Sequence, residues 1–247
     1  MQKWLLLDGS RRALLAAGAV WALNTTLQTR PVFSQTNSNG KLRIGVIGSG
    51  RIGGTIGGLW VKAGHPVVFS SRHPEELKDL VTGLGQLARA DTVTQAIGSG
   101  DVLFVAVPYG AIPQIGRDYG DAMKGKIVLD ACNAVPARDG SIADEVERDG
   151  IGITSEKYFP NTRLVRAFNT LAYTIFAREA NRPDPKLAVP IAGDDSQALD
   201  VAVALVRDAG FDPVVVGKLA DARLFQRGGP GYGQAVTAAE LKQKLAL

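Results

Sequence analysis

The 247-residue chain has little sulfur, little imidazole and few aromatic side chains: one cysteine (Cys132), two histidines (His65 and His73) and 6% Phe, Trp and Tyr. A lone cysteine forbids a disulfide framework within the chain. With only two histidines beside it, the nitrogen and sulfur ligands of an ordinary zinc site are missing too, so no metal site is expected. No run reaches the roughly 20 apolar residues that cross a bilayer, which excludes a multi-pass membrane protein. Three catalytic signatures are also absent. The residues four positions after Tyr109, Tyr119, Tyr158, Tyr173 and Tyr232 are Pro113, Met123, Thr162, Ala177 and Val236, so the Tyr-x-x-x-Lys pair of short-chain dehydrogenases does not occur. Neither a G-x-x-x-x-G-K-[ST] phosphate loop nor a G-x-S-x-G elbow is present, which removes nucleoside triphosphatases and α/β-hydrolases. What is there, 45% hydrophobic and 21% charged residues, is the composition of a globular protein rather than a disordered one.

The formal charge of +4 invites a nucleic-acid reading, but the excess sits at the start of the chain. Lys3, Arg11 and Arg12 precede the apolar run Ala13 to Leu23, and a polar stretch, Asn24 to Gly40, follows. A basic start, a short apolar segment and a polar exit make a secretory signal pattern. Ser10-Arg11-Arg12-Ala13-Leu14-Leu15 resembles a twin-arginine signal, with Leu14 in place of the usual aromatic. Cleavage is expected after Ser34. An amphipathic N-terminal helix is the alternative, but Ala13–Leu23 offers no polar face. Removing residues 1–34 takes Lys3, Arg11, Arg12, Arg30 and Asp8, so 28 basic residues become 24, 24 acidic become 23, and the net charge falls to +1. No nucleic-acid partner and no stable membrane span after signal removal are expected. The implied location is periplasmic or otherwise extracytoplasmic, or cytoplasmic if the segment is no signal.

From Lys41 onward short apolar runs alternate with helical patterns. Strands are expected at Leu42–Ile47, Pro66–Ser70, Asp101–Val107, Lys126–Asp130, Arg163–Phe168, Leu187–Ala192 and Asp212–Val216, with a weaker one at Gln86–Ala90. Helices are expected at Gly53–Lys62, Pro74–Leu80, Thr92–Ile97, Ile112–Tyr119, Ala143–Arg148, Leu171–Ala177 and Ser196–Ala209, and in the tail Ala235–Leu247. Wholly apolar strands such as Val102-Leu103-Phe104-Val105 imply burial on both faces. The fold class is therefore α/β: a Rossmann-like, doubly wound, mostly parallel sheet with helices on both faces and a small C-terminal extension. The organisation is a signal over 1–34, a polar linker over 35–40, a nucleotide-binding domain over 41–226, and a C-terminal glycine loop and helix over 227–247.

Leu42–Ile47 runs directly into Gly48-Ser49-Gly50-Arg51-Ile52-Gly53, a G-x-G-x-x-G fingerprint between a strand and a helix. Gly48 permits the tight turn, Gly50 lets the backbone approach a pyrophosphate, and Gly53 lets the helix pack closely on the strand. A glycine-rich packing turn is the alternative. The second strand chooses the dinucleotide. An NAD site usually carries Asp or Glu about twenty residues on, whereas this strand ends Ser70-Ser71-Arg72-His73 with no carboxylate before Glu75. Hydroxyl plus guanidinium suits a 2′-phosphate, so NADP(H) is favoured, with Ser71, Arg72 and His73 as its contacts. His73 has a second reading as an exposed residue starting the next helix. His65 reads as structural.

These motifs resemble the F420-dependent NADP reductase family, and the nucleotide domain is similar to that of pyrroline-5-carboxylate reductases and of metalloreductases with a cytosolic reductase domain. The resemblance rests on Ile44-Gly45-Val46-Ile47-Gly48-Ser49-Gly50, Ser71-Arg72-His73, Val105-Ala106-Val107-Pro108-Tyr109 and Val165-Arg166-Ala167-Phe168-Asn169-Thr170. It extends through Val189–Asp195 and Leu219-Ala220-Asp221-Ala222-Arg223. It implies that Val107, Pro108 and Tyr109 line the NADP ribose and nicotinamide, and that Ala131, Cys132 and Asn133 sit beside the nicotinamide. Ala167, Phe168 and Asn169 would form a far wall where a deazaflavin or flavin ring stacks. The segment Arg227-Gly228-Gly229-Pro230-Gly231-Tyr232-Gly233 departs from the family pattern.

Hydride exchange between a nicotinamide and a flavin-type ring needs no strong protein acid, and no catalytic residue is assigned. Cys132 is expected to be a small buried residue rather than a nucleophile. Tyr109 and Asn169 either orient a substrate or satisfy backbone groups. The leading expectation is an NADP(H)-dependent oxidoreductase whose partner is a small-molecule redox acceptor, F420 or a flavin, with a homodimer left open. The alternatives are a non-catalytic NADP-binding or sensing protein, and an imine or carbonyl reductase of the pyrroline-carboxylate type.

Overall fold

The computed structural model describes residues 40–247, so residues 1–34, read above as a signal, lie outside the described residues. The apolar runs read above become eight strands: β1 (Ile44–Ile47), β2 (Val67–Ser70), β3 (Ala88–Asp91), β4 (Val102–Val105), β5 (Ile127–Asp130), β6 (Arg163–Arg166), β7 (Ala188–Gly193) and β8 (Asp212–Gly217). They form one sheet in the order β3-β2-β1-β4-β5-β6-β7-β8. All pairs from β3 through β6 are parallel, β7 is antiparallel to β6, and β8 is parallel to β7. The mostly parallel, doubly wound sheet expected from the sequence is what the structure shows.

The helices are α1 (Arg51–Lys62), α2 (Lys78–Leu84), α3 (Val93–Ser99), α4 (Ile112–Met123), α5 (Pro136–Asp139), α6 (Ser141–Asp149), α7 (Ile151–Tyr158), α8 (Tyr173–Glu179), α9 (Ser196–Asp208) and α10 (Ala238–Leu245), with 3-10 turns at Pro74–Leu77, Tyr109–Ala111 and Leu219–Leu224. Asp195 caps α9 by accepting from Ala198 N at 2.8 Å, and Thr237 and Glu240 close a capping box on α10, each satisfying N–H groups the helix leaves free. Helix α7 is absent from the sequence reading. Ile151-Gly152-Ile153 has no helical stripe; its packing is tertiary, with Gly152 so close to Leu219 that an added Cβ would lie 2.0 Å from that carbonyl oxygen.

Side chains alternate between two cores. Val102 and Phe104 of β4 join one, with α1, α8 and α9, while Leu103 and Val105 join the other, with α4, α6, α7 and α10. Trp60 anchors the first. It is fully buried, meets Phe104 edge-to-face with centroids 5.0 Å apart and donates Nε1–H to Leu205 O at 2.8 Å. This packing turns the C-terminal ends of β1, β2, β4, β5 and β6 toward one edge, where α/β sheets bind ligands. His65 lies under the opposite edge, 2% exposed, its ring nitrogens 2.9 Å from Leu42 O and from Asp208 Oδ2, which agrees with a structural role.

Candidate nucleotide-binding site

The turn after β1 is dictated by its glycines. Gly48 has φ of 94°, and an added Cβ would lie 2.5 Å from Val107 Cγ1 and 2.6 Å from Ala106 O, so the end of β4 presses directly on the loop. Gly53 is as tightly held, since its Cβ would meet Gly48 O at 2.0 Å. Gly50 differs: nothing lies within 4 Å of a Cβ built there. Two glycines thus fix the loop and the third leaves space over it. Gly50 is also the N-cap of α1, with no side-chain cap and no acidic residue in the first turn. The partial positive charge of the helix start is therefore left to an anion. Ser49 staples the loop to β2, its N–H and hydroxyl both donating to Ser70 O at 3.2 and 3.0 Å. Half-buried Ile52 packs on the first core behind it. Arg51 stacks over the Tyr173 ring at 5.4 Å from its centroid, a contact between the first turn of α1 and the start of α8 that sequence spacing could not reveal.

At the end of β2, the Ser70 hydroxyl is buried and donates to Val46 O at 2.7 Å. The next three residues turn outward. Ser71 Oγ accepts from His73 N at 3.1 Å, and His73 is exposed at the start of the next 3-10 turn with Nδ1 3.2 Å from Glu75 Oε1. Arg72 is exposed and makes no hydrogen bond or ion pair among the described residues. The guanidinium is thus available to a 2′-phosphate.

Beyond β4, β5 and β6 the polar groups are sealed rather than presented. Tyr109 is fully buried; its hydroxyl meets Ser155 Oγ at 2.9 Å and donates to Ile151 O at 3.3 Å. Burial, followed by the nearby Asp130 charge, pushes its pKa up. Its side chain therefore faces α7, and the expectation that it lines the ligand site is corrected; half-buried Val107 and exposed Pro108 remain at the surface. Cys132 is buried as expected, its thiol pKa raised chiefly by desolvation, with Sγ accepting from Val107 N at 3.3 Å. The stacking wall is corrected as well. Ala167 is buried, and the Phe168 ring packs into the first core against Trp60, Phe104, Phe176 and Phe211, so no face is free for a flavin ring. Phe168 reaches that position with φ of 60°, a left-handed conformation that costs on the order of 1–3 kcal/mol for a non-glycine residue.

Asn133 and Asn169 do come together. Asn133 Nδ2 donates to Asn169 O at 2.5 Å, and Asn169 Nδ2 donates to Asn133 Oδ1 at 3.4 Å and Phe225 O at 3.1 Å. Among the described residues, buried Asn169 Oδ1 and Thr170 Oγ1 have no partner. Beneath them lies an ion pair the sequence reading missed: Asp130 and Arg166, opposite each other on β5 and β6 and both fully buried. Asp130 Oδ1 accepts from Cys132 N at 2.8 Å and Arg166 Nη2 donates to Cys132 O at 2.6 Å, clamping the backbone next to Asn133. A charged residue at the end of each apolar strand was the available signal. Among the described residues no cluster could hold a metal ion.

A glycine loop opening a helix, an exposed arginine after β2 and a parallel sheet presenting its C-terminal edge define a Rossmann-class fold with a candidate dinucleotide-binding site. Residues 43–134 match the family model described as NADP oxidoreductase, coenzyme F420-dependent. The resemblance to the F420-dependent NADP oxidoreductase family therefore extends over the nucleotide-binding half of the sheet. Metalloreductase STEAP3 of Rattus norvegicus is 29% identical over 188 residues, 73% of this chain and 35% of that protein. The chain thus spans about a third of the curated relatives it matches. Among solved structures, a hypothetical protein of Sinorhizobium meliloti is 27% identical with a TM-score of 0.70, covering 81% of this chain and 97% of the other. A candidate F420-dependent NADP reductase from an Arthrobacter species, 22% identical with a TM-score of 0.63 over 74% of this chain and 87% of the other, shares the fold. Among the described residues no helix is long and apolar enough to cross a membrane.

Proposed function

We propose that the protein exchanges hydride between NADP(H) and a flavin-type or F420 acceptor without a protein acid or base. The observation that carries this is the sealing of titratable groups at the C-terminal ends of β4, β5 and β6: Tyr109, Cys132, Asp130 and Arg166 are all buried. Carbonyl or imine reduction needs a proton donor within reach of the reacting atom; ring-to-ring hydride transfer needs alignment and exclusion of water.

The residues present fit the cofactor. Open space over Gly50 and the uncapped start of α1 suit a pyrophosphate, and Ser71 and Arg72 suit a 2′-phosphate. When bound there, NADPH supplies the hydride. Arg51 would flank the phosphates, held by Tyr173. Val107, Pro108 and Asn133 would border the nicotinamide, with the Asp130–Arg166 pair holding the Cys132 backbone still. Asn169 would fix Asn133 rather than touch the acceptor. Stopped-flow absorbance of NADPH tests this. Oxidation on adding FMN or F420, and none on adding cyclic imines, is expected; turnover of imines alone would replace this reading with that of an imine reductase.

We also propose export through the twin-arginine route. A reporter fused to residues 1–40 should leave the cytoplasm, and Arg11→Lys with Arg12→Lys should retain it there; unchanged export of the variant would contradict this.

A further inference from the structure

The segment Arg227–Gly233 lies outside the residues that match the nucleotide-binding family model, yet it is firmly built. Gly229 N donates to Gln226 O at 2.8 Å, Gly231 N to Leu224 O at 2.8 Å and Gly233 N to Thr170 O at 2.9 Å. The last bond ties the loop to the chain leaving β6. A Cβ on Gly229 would lie 2.5 Å from Arg223 O, so glycine is required for the loop to close this tightly.

A cavity of about 620 Å³ lies against this loop, with Arg223, Gln226, Arg227 and Tyr232 around it and Glu147 of α6 on its wall. Arg227 makes no hydrogen bond or ion pair among the described residues, and Arg223 donates only a long bond, 3.5 Å, to Asp149 O. Gln226 uses Oε1 to accept from Ile151 N at 2.9 Å, which leaves its NH2 to donate. Donors therefore outnumber acceptors, and two of them are guanidinium groups suited to planar oxyanions. A smaller adjoining cavity shares Glu147, Gln226 and Arg227 and reaches Ala134 and Pro136, immediately after Asn133. The two cavities thus share a wall at Glu147, Gln226 and Arg227, one beside the residues that follow Asn133 and the other beside the glycine loop.

We infer that this cavity holds the oxyanionic tail, phosphate or carboxylate, of the hydride acceptor, with Arg223 and Arg227 pairing the oxyanion. The inference rests on the hydride-acceptor reading and names the class of acceptor: a redox-active ring carrying an anionic side arm. Glu147, the carboxylate on the wall, places the anion on the guanidinium side.

The test is a fluorescence titration of the full chain, with NADP+ bound, by FMN and by riboflavin, which share the ring and differ by the phosphate. FMN should bind about tenfold more tightly. Arg227→Ala should reduce that preference, and Arg223→Ala with Arg227→Ala should abolish it, leaving riboflavin and NADP+ affinities unchanged. Because Arg223 also packs beside Gly150, the Arg227→Ala single variant, checked by circular dichroism, stands if the double variant misfolds. Equal binding of the two flavins, a preference that survives Arg227→Ala, or binding of neither overturns the pocket. A phosphate preference without NADPH oxidation would leave the pocket standing and overturn hydride exchange alone.

Discussion

At the scale of single residues, the three fingerprint glycines are not equivalent. Gly48→Ala would force a side chain into a left-handed backbone against Ala106 and Val107, and Gly53→Ala would drive a methyl into the Gly48 carbonyl. Both should destabilise the fold by more than about 1 kcal/mol. Gly50→Ala meets open space and should leave the melting temperature unchanged while weakening NADPH binding. Equal stability loss in all three would contradict the assignment of Gly50 to the ligand. Arg72→Glu should lower NADPH affinity at least about tenfold, roughly 1.4 kcal/mol, and spare NADH; equal losses for both would remove the 2′-phosphate contact. The glycine loop and Arg72 were legible in the sequence because each depends on local chemistry. Tyr109 and Phe168 were misassigned because an aromatic after a strand carries no mark of whether it faces a ligand or a core. That choice is made by α7 in one case and by the left-handed turn at Phe168 in the other.

At the scale of elements, every expected strand is present, since apolar runs between turn residues suffice to mark a parallel sheet. Helix α7 and the 3-10 turn over Leu219–Leu224 were missed because they are held by contact with each other rather than by a periodic stripe. The Asp130–Arg166 pair joins β5 to β6. Asp130→Asn would leave a buried guanidinium without its partner charge and should cost about 3–5 kcal/mol in denaturant unfolding. Asp130→Leu with Arg166→Met should cost less than the single change. A second ion pair joins β6 to α9: hydrogen bonds from Arg163 lower the pKa of Asp195 to about 2 from an ordinary 3.8. A depressed carboxylate pKa contributes stability that is whole above its unfolded value and lost as pH falls through the folded one. Unfolding free energy should therefore drop between about pH 4 and about pH 2, and Asp195→Asn should flatten that part of the profile; an unchanged slope would show that the pair does not report on folding. The pair is partly exposed, so its contribution is small.

At the scale of the whole molecule, the sheet supplies the proposed nucleotide edge and the C-terminal loop closes beside it, while the charged residues that end β5 and β6, Asp130 and Arg166, are buried and paired. Among the described residues, the titratable groups at the ends of β4, β5 and β6 are buried, away from a bound ring. The rate of hydride transfer from NADPH deuterated at C4, followed in single turnovers with FMN, measures this most directly. A primary isotope effect on a rate that stays flat from about pH 6 to about pH 9 is predicted, because no protein group titrates with the step. A bell-shaped or sigmoidal profile carrying the isotope effect would contradict it and would place a proton donor where the structure shows none among the described residues.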